Sequence, residues 1–176
     1  LYQPNDFELY IARAQARHAL GKFGLAINDY DQTITLQPNH FVAHYNRGLL
    51  RSFVGDLNRA IEDFDFVIKT EPNNTLARYN RAQLRQQVGN YKGAIADYTR
   101  LIEQFPNFWV GLSNRARCYR KLGMTAKAEM DEFRIFKARI DKSNGFQPRW
   151  SKSKIRNVRR RSEINFDKYN QLVVDD

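Results

Sequence analysis

The chain has 176 residues, 42% hydrophobic and 27% charged, the size and balance of an ordinary folded domain. Its single cysteine excludes a disulfide framework and a multi-cysteine zinc site, and no apolar run approaches the roughly 18 residues of a membrane helix. A formal charge of +10 speaks of solubility and anionic partners rather than of fold.

In chain order, Leu1-Tyr2-Gln3-Pro4-Asn5 repeats the phase of Leu36-Gln37-Pro38-Asn39. Residues 1–6 therefore read as the end of a preceding repeat, in a chain cut from a longer array. The first helix is then expected to expose a face near Phe7, Ile11 and Ala14, and to self-associate through that end. Any targeting segment falls outside the sequence, so no compartment is assigned.

From residue 7 onward a 34-residue period organises the chain. Pro4, Pro38, Pro72 and Pro106 keep it, as do Gly21, Gly55, Gly89 and Gly123, and Ala26, Ala60, Ala94 and Ala128. Four units follow, 7–40, 41–74, 75–108 and 109–145, each read as two amphipathic helices. In the first helix Ala16, Leu50, Leu84 and Cys118 align, followed by Leu20, Val54, Val88 and Leu122. The glycine comes next, where a helix end favours a residue free to enter the left-handed region. In the second helix Ile27, Ile61 and Ile95 precede Tyr30, Phe64 and Tyr98, then Ile34, Ile68 and Ile102, which is one helical face. The first three units each end on their proline. The fourth has none near 140, so its last helix is expected to run on to 144–145. There Glu129 and Glu132 replace the Ile and the aromatic of earlier units.

These features resemble the tetratricopeptide repeat family. The small pairs Ala14/Ala26, Gly48/Ala60, Ala82/Ala94 and Ala116/Ala128 carry the resemblance, with the aromatics Tyr30, Phe64 and Tyr98 and the Pro-Asn closures. It covers residues 7 to about 142, and the run Tyr45-Asn46-Arg47-Gly48 resembles bacterial arrays, those of Bacteroidetes in particular. The first-helix tyrosine of the family is replaced by Arg17, Arg51 and Arg85 and kept at Tyr119. The resemblance implies an all-α, right-handed solenoid of four helix-turn-helix units. It also implies a concave groove for peptide segments, lined by the first helices.

The groove stripe begins with Glu8, Ile11, Gln15 and His18 in the first repeat. Its most informative members are Tyr45, Leu49 and Phe53, then Tyr79, Gln83, Gln86 and Gln87, and last Arg117 and Arg120. It grades from apolar and aromatic, through amide-rich, to basic. A second pattern is a charge pair: Arg13, Arg47, Arg81 and Arg115, each followed 16 residues later by Asp29, Asp63, Asp97 and Asp131. Arginine stems cover apolar surface while their heads seek acceptors. The pairs Arg47–Asp63 and Arg81–Asp97 are expected to be partly buried.

Residues 146–176 read as a separate tail, extended or flexible. Residues 149–161 hold seven basic residues and no acid, and Ile164–Val174 regains apolar residues: Ile164, Phe166, Tyr169, Leu172, Val173 and Val174. No glycine-rich phosphate loop, HExxH or GxSxG motif is present. The histidines His40 and His44 lack a third ligand and are assigned to a turn and a helix surface. The reading is therefore non-enzymatic, without metal or cofactor, and the partner is a protein or peptide. A nucleic-acid or anionic-surface partner, bound by repeat 4 and the tail, is the second reading, and a passive assembly spacer the third. Residues 109–142 carry nine basic and four acidic residues, net +5, which is the basis of the second reading.

Overall fold

A computed structural model describes residues 6–144. The expectations for the chain's first residues and for the tail, including the basic run 149–161 and the apolar segment 164–174, lie outside the described residues. Eight helices follow in order: α1 (Phe7–Ala19), α2 (Phe23–Leu36), α3 (Phe41–Phe53), α4 (Leu57–Thr70), α5 (Thr75–Gln87), α6 (Tyr91–Gln104), α7 (Trp109–Lys121) and α8 (Thr125–Ser143). Among the described residues there is no strand, and no helix is long and apolar enough to cross a membrane. The helices fall into two compact units, one ending at Leu84 and one beginning at Arg85.

Local chemistry sets the helix ends. Asp6 accepts hydrogen bonds from the amides of Glu8 and Leu9, and Asn74 and Asn90 cap α5 and α6 through Ala77 N and Gly93 N. Between the two helices of each repeat, Gly21, Gly55, Gly89 and Gly123 stand at φ of 70°, 86°, 80° and 72°, where a Cβ would be strained. The hydrophobic residues just before them are not core. Leu20, Val54 and Val88 are 70%, 48% and 40% exposed, because they cap the helix at the turn and point past its packed face.

In the first unit, Ala14, Ala26, Tyr30, Ala43 and Leu50 form one core cluster, and Tyr45, Ala60, Phe64, Val67, Ile68, Ala77 and Leu84 a second. Small residues let the paired helices approach. A Cβ on Gly48 would meet the Cβ of Asp63 at 3.1 Å and the Phe64 ring at 3.2 Å. In the second unit Ala94, Tyr98, Leu101, Ile102, Leu112, Ala116, Cys118 and Ala128 are buried.

Two expectations are corrected here. Ile11 and Ala14 are buried rather than exposed, and α1 packs on α2. His44 is also buried. Its ring stacks on Phe66 at 3.8 Å, and its Nε2 donates to the carbonyl of Pro38 at 2.9 Å. His40 acts as a cap, its Nδ1 accepting from Ala43 N.

Hydroxyls buried in one repeat are satisfied by asparagines of the next. Asn46 donates to Tyr30 at 3.3 Å, and Asn80 to Tyr45 at 3.2 Å. Burial pushes both phenols up to about 12, against the lowering effect of these bonds. The folded state thus keeps their protons to higher pH than the unfolded chain does. Stability from this source is complete below pH 10 and is lost as pH rises through about 12. Urea titrations across this range should show the alkaline loss reduced in Tyr30→Phe, which at neutral pH costs about 1 kcal/mol for its hydrogen bond.

Candidate functional site

In the first unit α1, α3 and α5 present a cleft of about 290 Å³, lined by His18, Leu49, Leu50, Ser52, Phe53, Asn80 and Gln83. Four of the lining positions are stripe residues separated by helical turns, so they share one side of their helices. Phe53 closes the end of α3 and remains 71% exposed. Its ring is nonetheless held, edge to face with Phe23 at 4.7 Å, and Phe23 in turn meets His18 at 5.7 Å. Gln83 donates to the Tyr79 hydroxyl at 3.1 Å, which orients its amide. One turn before His18, the Nε2 of Gln15 is buried and meets no acceptor among the described residues. A buried donor without a partner is uncommon enough to need an explanation.

Several stripe residues stand elsewhere. Tyr45, expected as a groove contact, is 2% exposed and sits edge-on to Phe64 at 5.6 Å. Its side chain fills the second core cluster, and its hydroxyl is occupied by Asn80, so it offers a ligand nothing. In the second unit, Gln86 accepts from the Tyr98 hydroxyl at 3.1 Å, while Gln87 and Arg117 are exposed. Arg120 is exposed but engaged, donating to Glu132 at 2.9 and 2.6 Å, which reduces the basic character expected there.

The arginines and aspartates form a denser pattern than a simple pair. Asp29, 2% exposed at its side chain, accepts from Arg13 at 2.7 Å and from Arg17 at 2.7 Å. Asp63 accepts from Arg47 at 2.6 Å and from Arg51 at 2.8 Å, with His44 Nδ1 3.5 Å away. Asp97 is held by Arg85 at 3.0 Å, and Asp131 by Arg115 at 2.6 Å. The second arginine was missed in the sequence, although its signal was present: it is the residue that replaces the family tyrosine. Burial pushes the Asp63 carboxyl up, but the His44 ring and the Arg47 and Arg51 guanidinium groups outweigh it and hold it below its ordinary 3.8.

The first arginine also reaches backward. Arg47 donates to Asp31 at 2.7 Å, Arg81 to Asp65 at 2.7 Å, and Arg115 to Thr99 at 3.0 Å. Each bond joins a repeat to the second helix of the one before.

Sequence models of the tetratricopeptide repeat match residues 7–40, 48–107 and 79–144. The chain is a tetratricopeptide repeat protein. Its helix pairs accordingly form an all-α solenoid of such units. Solved structures share this tetratricopeptide fold. One MamA structure is 18% identical, with a TM-score of 0.71 over 84% of this chain and 81% of that one. MamA residues 41 to the end, from Desulfovibrio magneticus RS-1, are 18% identical, with a TM-score of 0.67 over 76% and 75%. YrrB, described as a TPR protein with an unusual peptide-binding site, is 19% identical, with a TM-score of 0.63 over 72% and 66%. Among curated proteins none matches this tetratricopeptide chain.

Proposed function

We propose that this protein is a non-enzymatic interaction module whose first-helix cleft binds a peptide segment of a partner. The observation that carries this reading is the cleft itself, where the largely exposed but ring-held Phe53 stands beside the amides of Asn80 and Gln83. A rigid aromatic gives apolar contact at small entropic cost, and amides match the donors and acceptors of a peptide backbone. The peptide-binding site ascribed to YrrB supports the reading.

Peptides selected on the full chain from a random display library should bind a Phe53→Ala, Gln83→Ala variant at least about 2 kcal/mol more weakly, roughly thirtyfold in Kd. Isothermal titration would measure this. Selected peptides that bind wild type and variant alike would refute the cleft. Binding of single-stranded RNA that falls steeply with salt, ignores Phe53 and needs Arg117 would favour the anionic reading instead.

A further inference from the structure

The second helix of the fourth repeat carries an apolar face that no other described residue covers. Met130 is 72% exposed, Phe133 63%, Phe136 58% and Ile140 40%. With 3.6 residues per turn they fall on one side of α8, and Ala126 and Ile140 lie about 21 Å apart along its axis. In earlier repeats this side faces the next helix pair. Phe133 occupies the position of Asp31, Asp65 and Thr99, which receive the following repeat's arginine. Phe136 occupies that of Ile34, Ile68 and Ile102, the last two of which are 8% and 5% exposed. A stacking face that mixed polar and aliphatic contacts has thus become aromatic at both positions.

We infer that this face pairs with the same face of a second copy, α8 against α8, antiparallel about a twofold axis at Phe133. The sequence is self-complementary in that register. Phe133 meets its own copy, Met130 faces Phe136, and the small Ala126 faces the large Ile140. The exposed Glu129 faces the exposed Lys137, and the twofold makes that pair twice. Ala126, Met130, Phe133, Lys137 and Ile140 also follow the 4, 3, 4, 3 spacing of a helix-pairing seam. The chain's own basic run, 149–161, suits the face poorly, since Lys137 lies within it and Lys127 and Arg134 lie beside it. A single helix pair buries less than the roughly 1,200 Å² of a standard interface, so the dimer is weak and concentration-dependent.

Sedimentation velocity of the full chain over a roughly hundredfold concentration range tests this. The wild type should pass from monomer to dimer, and Phe133→Asp should stay monomeric with an unchanged circular dichroism spectrum. Glu129→Lys and Lys137→Glu should each weaken the dimer by about tenfold, as like charges then meet. Mixed together, these two variants should form a heterodimer, and the double swap in one chain should restore the homodimer. A wild type monomeric throughout overturns the inference, whether the face is then bare or covered by residues 164–174. So does a Phe133→Asp variant that still dimerises, or a charge swap without recovery.

Discussion

Asp63→Ala should destabilise the protein by about 3–5 kcal/mol, the loss expected when one member of a buried ion pair is removed. The carboxylate is 2% exposed and receives Arg47 at 2.6 Å and Arg51 at 2.8 Å, which are themselves 13% and 11% exposed. Without it, two guanidinium groups remain in a largely dry place with one acceptor fewer. Thermal and urea unfolding would measure the loss. Glu132→Ala, which breaks the exposed pair with Arg120, should leave the melting temperature almost unchanged. The pH dependence follows from the lowered carboxyl. The unfolded chain takes up the Asp63 proton first, so stability is full above about 3.8 and is lost as pH falls below it, through the folded value. Asp63→Asn should flatten that acid limb. If Asp63→Ala and Glu132→Ala melt together, the buried arginine fork contributes nothing.

Phe64→Ala should cost a similar amount, about 3–5 kcal/mol, by a different route. The ring is fully buried and edge-on to Tyr45, and the missing Cβ of Gly48 leaves the space its Cζ and Cε2 atoms occupy. Truncation removes apolar contact and leaves a cavity that helices already in close approach cannot collapse to fill. Phe133→Ala makes the same chemical change on a side chain that is 63% exposed, and in a dilute monomeric sample should fall within about 0.5 kcal/mol of wild type. Equal losses in the two variants would show that the repeat core is not packed around Phe64.

The repeat period made the helix pairs, the glycine turns and the buried aromatics legible, because each rests on a residue type that local geometry demands. Gly21 and its equivalents need a left-handed turn, and Tyr30, Phe64 and Tyr98 close one helical face. The cleft was legible only in outline. Helical spacing tells which side a residue takes but not how deep it lies, so Tyr45 and Phe53 looked alike while one is core and the other surface. The second arginine was hidden because spacings of 12 and 16 residues reach the same aspartate from adjacent turns of one helix. The backward bonds to Asp31 and Asp65 were hidden because a period describes one unit, and these contacts belong to two. The aromatic face of α8 was hidden for a related reason. Glu129 and Glu132 suggested a polar end, but Glu129 shares its side of α8 with Phe133, Phe136 and Ile140, so one acid stands within a mainly apolar face.

The backward-reaching arginines have a mechanical meaning. At the first two junctions the tie is an ion pair with a carboxylate, Arg47 to Asp31 and Arg81 to Asp65, while at the third the Arg115 guanidinium donates to the neutral hydroxyl of Thr99. A carboxylate adds the attraction of opposite charges to the hydrogen bond, whereas Thr99 gives its arginine only a dipole to hold. Under tension applied along the chain, the third junction should therefore yield before the other two. Salt should narrow the difference, because it screens the half-exposed carboxylates of Asp31 and Asp65 and leaves a hydroxyl unaffected. The array carries load unevenly by design of one residue per repeat, and Thr99→Asp should even it out.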